Sequence, residues 1–287
     1  MDGSAGEALN LADLMRVTAA DQPGVFTGRT EAYGALGIYG GHFVGQALAA
    51  GFATVDQPKV AHSFHAYFLK RGEPQARLDY HVTALRSSRA GDVRAIAARQ
   101  NGEDVFHMLA SFKLAETGDE HQPPAPKVTG ADDLAAERQA RGEPIFPFPI
   151  VQSGRAIMEW ATPSFMASEP GREPVLRNWM RVPDIEGLDE RMRQVVLAFL
   201  SDGTLMFNAV LPYGLPFRTH RLTSLDHAGW FHRPADPGQW LLYDQRSTAA
   251  ADGRGLNSGE IYTADGVLVM SCVQESMLRR IEPVSAA

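Results

Sequence analysis

A chain of 287 residues is long enough for two domains and a sizeable core. Hydrophobic residues at 44% and charged residues at 21% are ordinary for a globular protein, and a net charge of −7 with no basic block gives nucleic acid nothing to hold. The longest purely apolar run, Val195 to Leu200, falls far short of the roughly 20 residues that span a bilayer, and the single cysteine, Cys272, excludes an intrachain disulfide and a cysteine-cluster metal site.

Met1 to Ala12 carries acidic and small residues where a secretory signal would carry a basic start and a long apolar stretch, so a cytoplasmic location is the default expectation. The alternation of Gly24 to Ala32 predicts a first strand. From Gly40-Gly41 the chain enters His42 to Ala53, apolar on nearly every side and rich in Gly and Ala, which predicts an enclosed helix. Four strand-like runs follow: His62 to Lys70, Arg77 to Ser87, Val93 to Gln100 and Asp104 to Lys113. Between Ala115 and Phe148 the composition turns to Pro, Gly, Asp and Glu. This predicts a linker with a short helix at Asp132 to Arg141.

The second half repeats the order of the first. Strands are predicted at Gly154 to Trp160 and Val175 to Val182, a helix at Leu188 to Ser201, and strands at Arg221 to Phe231, Trp240 to Ser247, Gly255 to Tyr262 and Val267 to Arg279. The hairpin built on a two-residue turn at Asn101-Gly102 reappears around Asp265-Gly266, 164 positions later. A duplication of that period makes each copy a domain, not a solenoid unit. The expected organisation is a first repeat over 1–116, a linker over 117–150 and a second repeat over 151–287, which holds the three polar residues taken up next. Each half reads as strand, helix, then an antiparallel meander, and two such halves with sheets joined edge to edge into one long curved sheet around two central helices make an α+β double hotdog.

Three polar residues fall where polarity is costly. Gln274 shares a face of the last strand with Leu268, Met270, Cys272, Ser276 and Leu278. A buried amide without partners costs about 1 to 3 kcal/mol, so Gln274 needs a polar neighbour or a ligand. At the 164-residue offset the first copy has Ala110. Asp202 follows the second apolar helix one turn beyond Ala198 and Phe199, where burial would lift its pKa toward the range of a general base. Ser224 is expected on a strand face with Leu222 and Asp226, opposite Thr223, Leu225 and His227. Two of them have a plainer reading too: a solvent-facing helix end for Asp202 and a local hydrogen bond for Ser224.

No metal is expected, since His62 and His65, like His227 and His232, fall on opposite strand faces and no zinc spacing occurs. No cofactor is expected: Gly40-Gly41 lacks the dinucleotide-loop spacing and better suits bringing helix-start N–H groups to a ligand oxygen. No Gly-x-Ser-x-Gly elbow is present, and Cys272 reads as a small buried hydrophobe.

These stretches resemble the acyl-CoA thioesterase II family. Tyr39 to Leu48 is similar to its first-helix motif and His62 to Pro74 to the following strand, while Leu225 to Pro234 and Asp265 to Glu275 match more closely still. The resemblance implies a double hotdog that hydrolyses fatty acyl-CoA with an Asp, a Thr and a Gln around the attacking water. By motif these fall on Asp202, Ser224 and Gln274, with serine in the threonine position. His42 replaces the glutamine usual after the glycine pair. The resemblance also places His62 near the substrate, with Gly40 and Gly41, and favours a homodimer or homotetramer. A non-hydrolytic acyl-CoA or acyl-carrier binding protein of the same fold is the alternative, which would not need a water-activating trio. The Asp-x-Asn-Pro-x-His stretch expected of a hotdog hydratase is absent.

Overall fold

The computed structural model describes residues 10–32, 37–144, 146–148, 156–167 and 171–281. The first half runs α1 (Leu11–Met15), β1 (Val17–Ala19), β2 (Val25–Gly28), α2 (Gly40–Phe52), β3 (Val60–Phe68), β4 (Leu78–Ser87), β5 (Gly91–Gln100) and β6 (Glu103–Lys113). After α3 (Ala131–Ala140) come β7 (Phe146–Phe148), β8 (Ala156–Trp160), β9 (Val175–Arg181) and α4 (Glu190–Ser201). A 3-10 turn (Leu205–Val210) precedes β10 (His220–Ser224), β11 (Asp226–Phe231), β12 (Leu241–Ala251), β13 (Arg254–Thr263) and β14 (Leu268–Arg280).

All these strands join one antiparallel sheet, in which β2-β4-β5-β6-β3 meets β11-β14-β13-β12-β9. Taken from its outer edge, each copy has the same strand order. The copies join where β3 pairs with β11, from Asp226 opposite Tyr67 to Trp230 opposite Ser63. The double hotdog is therefore pseudo-symmetric about that junction, and no edge strand is left open there.

The helices lie inside the sheet because they have little polar surface to show to water. Every residue of α2 from Gly41 to Phe52 is buried, as is α4 from Gln194 to Ser201. The two helices are antiparallel: Tyr39 Oη, at the start of α2, donates to the Phe199 carbonyl at the end of α4, while Arg191 near the start of α4 reaches the Phe52 carbonyl at the end of α2.

Two expectations from the turns and strands are corrected. Asn101 and Gly102 do form a two-residue turn, with φ of 53° and 81°. The second-half hairpin instead leaves β13 at Thr263 and enters β14 at Leu268, with only Gly266 of the Asp265-Gly266 pair left-handed. The run Arg221 to Phe231 is not one strand but two. Leu225 interrupts it, shifting the pairing with β14 from Ser224 opposite Ser276 to Ala228 opposite Val273. The alternation slips by one residue there, so His227 turns inward with Ser224 and Asp226 turns away from it.

The linker is not loose. Gln122 brackets the β13–β14 turn, donating to the Gly266 carbonyl and accepting from the Leu268 amide. Trp179 Nε1 donates to the Thr129 carbonyl and Trp240 Nε1 to Asp132. Ala125, Val128 and Leu134 pack on Trp179, Leu242 and Tyr262, on the outer face of the second copy.

Candidate active site

Asp202 caps the C-terminus of α4, only 5% exposed. Its approach to the start of α2 depends on two glycines. A Cβ on Gly40 would lie 2.6 Å from Asp202 Oδ2, and one on Gly41 would lie 2.2 Å from the Phe199 carbonyl oxygen, so only bare backbone lets the helix ends meet. The Gly41 N–H then donates to the Asp202 carboxylate. The pair was expected to bring N–H groups to a ligand oxygen; in the structure the Gly41 N–H meets an oxygen of Asp202.

Gln274, fully buried on β14, donates from Nε2 to Asp202 Oδ1 at 2.5 Å. Burial lifts the Asp202 carboxyl to about 6, while the bonds from Gln274 and Gly41 pull it the other way. The positive end of α2 also favours a carboxylate at this spot. Asp202 is thus ionised at neutral pH yet basic enough to take a proton.

Ser224 ends β10 opposite Ser276, two residues along β14 from Gln274 and on the same inward face. Its hydroxyl is directed at Met206 Sδ, 3.7 Å away, and no bond joins it to Asp202 or Gln274 among the described residues. His62 is not brought to this site. It borders an outer cavity of about 650 Å³ with Lys113, the linker and His232. Phe68, which touches the Gly40 position, stands six residues further along β3, about 20 Å at strand rise.

His42 is buried and bonds to the Arg29 carbonyl at 2.8 Å, and burial lowers its pKa to about 4. A neutral core imidazole is the result. Cys272 is no nucleophile: burial raises its thiol to about 12. No group of three His, Cys, Asp or Glu side chains suited to a metal ion occurs among the described residues.

Sequence reasoning missed His227. It is fully buried, its Nε2 is 2.8 Å from Ser201 Oγ, and burial lowers its pKa to about 3. Ser201 Oγ already donates to the Ala198 carbonyl, so the ring donates to Ser201, beside Asp202. The strand break at Leu225, invisible in the alternation, hid this inward position.

A carboxylate and an amide buried together at a helix junction, inside a double hotdog and without a reactive thiol, are a site suited to activating water in a hotdog enzyme. Family models described as the acyl-CoA thioesterase N-terminal and C-terminal domains match residues 29–113 and 127–278, and the chain belongs to the acyl-CoA thioesterase family. It is 30% identical to "Acyl-CoA thioesterase 2" of Haemophilus influenzae, over 94% of this chain and 97% of that protein. With human "Acyl-coenzyme A thioesterase 8" the identity is 31%, over 89% and 84% of the two chains. Among solved structures, an acyl-CoA thioesterase II of Mycobacterium marinum superimposes with a TM-score of 0.78 at 30% identity, covering 94% of this chain and 98% of that one. A hot dog-fold protein of Alicyclobacillus acidocaldarius, 20% identical, shares the fold with a TM-score of 0.76 over 95% and 98%.

Proposed function

We propose that this protein hydrolyses fatty acyl-CoA to free fatty acid and CoA, with Asp202, Gln274 and Ser224 around the attacking water. The observation that carries the reading is the buried Asp202 carboxylate, raised to about 6 and held by Gln274 and the start of α2. Asp202 takes a proton as the water oxygen attacks the thioester carbonyl. The tetrahedral oxyanion draws on the remaining N–H of Gln274 and on the Gly40 N–H at the start of α2. Collapse breaks the C–S bond, and the proton held by Asp202 passes to the departing sulfur.

Gly40 and Gly41 contribute by admitting the carboxylate and leaving backbone at the surface the thioester meets. The acyl chain runs toward Met206 and the apolar cluster of Phe165, Phe207 and Leu222 behind it. Support comes from the Ser224 hydroxyl lying against Met206. An assembly of two or four copies in the cytoplasm completes the reading. Tyr67 and Leu109, 61% and 49% exposed on the outer face of the first copy, are the apolar surface such an assembly would cover.

The test is free-thiol release from a panel of acyl-CoA chain lengths by wild type and Asp202→Asn. The variant is expected to lose most hydrolysis while unfolding at no lower temperature, because it removes a buried charge. An active Asp202→Asn protein would overturn the assignment.

A further inference from the structure

Next to Gln274 the two copies differ at a second position. Asn257 on β13 stands directly opposite Gln274 on β14, whereas the corresponding opposed pair in the first copy is Arg94 and Ala110. Asn257 is fully buried. Its Nδ2 is 3.3 Å from the Gln274 main-chain oxygen, Ser276 Oγ and the Gly255 carbonyl. Its Oδ1, like Gln274 Oε1, meets no hydrogen-bond donor among the described residues.

A scaffold does not require this arrangement. Arg94, in the matching place, is satisfied by the Thr54 hydroxyl and by the Thr54 and Arg86 carbonyls. An amide with an unpaired carbonyl is a poor choice for packing alone. On β14 its contacts hold the Gln274 carbonyl and Ser276, the stretch that immediately follows the Gln274 side chain. Through Ser276 these contacts also reach the residue opposite Ser224.

We propose that Asn257 is a positioning residue for hydrolysis, clamping the stretch of β14 that aims the Gln274 amide at Asp202. It rests on the reading that Asp202 and Gln274 hydrolyse acyl-CoA, and it makes a separable claim: Asn257 acts through Gln274. With dodecanoyl-CoA as probe, kcat and KM are measured for wild type, Asn257→Ala, Gln274→Ala and the double variant, with thermal unfolding of each. Asn257→Ala is expected to lower kcat by about 10- to 100-fold at nearly unchanged KM, and to lower it no further in the Gln274→Ala background. An undiminished kcat, an additive loss in the double variant or an effect confined to KM would overturn the proposal. If Asn257→Ala does not fold, Asn257→Ser takes its place in the same cycle. Failure of the underlying reading looks different, since wild type would then release no thiol or Asp202→Asn would keep its rate.

Discussion

The two ends of the helix pair occupy equivalent places in the two copies and have been built for opposite purposes. Where α4 ends, its cap is Asp202, which faces the glycines of α2 and the amide of Gln274. Where α2 ends, its cap is Ala53, and two guanidinium groups close the space. Arg191 donates to the carbonyls of Phe52, Val55, Asp56 and Lys59, and Arg94 donates to Thr54. Cations at a helix C-terminus satisfy its orphan carbonyls and its dipole. One end is closed by guanidinium groups that bond to carbonyls and to the Thr54 hydroxyl. At the other, a carboxylate is kept ionisable and the amide oxygens of Asn257 and Gln274 meet no donor among the described residues. A duplicated scaffold therefore keeps its fold in both copies, while the buried carboxylate and its amide partner occur in the second alone.

The largest effect that would sharpen this contrast comes from Gln274→Ala, which reduces the reactive end to the Ala110 of its twin. It is expected to cost about 100- to 1000-fold in kcat, the scale of a lost oxyanion or orienting donor. A steady-state assay showing a change below threefold would break the contrast.

The next effect concerns pH. Burial raises the Asp202 carboxyl from 3.8 to about 6, so the folded state holds that proton more tightly than the unfolded chain. The stability associated with this group is present at low pH and is lost as pH rises through about 6, on the order of 3 kcal/mol. Hydrolysis should rise over the same interval, as the base ionises. Denaturant unfolding of wild type and Asp202→Asn between pH 4 and 7 checks the sign: the variant should lack this slope.

Breaking the guanidinium-closed end gives a different result. Arg191→Leu is expected to destabilise the fold by about 2 kcal/mol through unpaired carbonyls, with kcat per folded molecule unchanged. Equilibrium unfolding beside a rate measurement separates the two. The smallest effect is expected from Ser224→Ala, about tenfold or less in kcat, because its hydroxyl is turned to Met206. An unaltered rate would remove Ser224 from the site.

Much of this site was legible in the sequence, because Asp202 and Gln274 are polar residues on faces whose neighbours had to be buried. The same logic could not locate what each would touch. The Gly40-Gly41 pair announced a close approach without naming its partner. Ser224 and His227 were assigned to opposite faces because period-2 alternation contains no sign of the interruption at Leu225, which the pairing with β14 creates. His62 looked close to the substrate by motif, but β3 extends away from the helix junction. The enclosed helices and the succession of strands followed from apolar patterning and the repeat, but a simple meander would pair β3 with β4, whereas β3 pairs with β6 and β4 with β2. In contrast α1 and β1, five and three residues long, are too short for any period to show. The draping of the linker depends on Gln122, Trp179 and Trp240 meeting partners distant in sequence.

That linker has a consequence for which copy meets which. The junction proposed as the reactive end takes its carboxylate from the second copy and its bare glycines from the first, so it exists only in a mixed pair. Two second copies joined to each other would set Asp202 against the Asp189 and Glu190 that open α4, a meeting of like charges. Two first copies would have no Asp202 at all. Covalent tethering raises the effective concentration of the right neighbour far above that of any other copy in solution. The connection thus acts as a sorting device, enforcing unlike pairing between domains whose shared fold would otherwise let like pair with like.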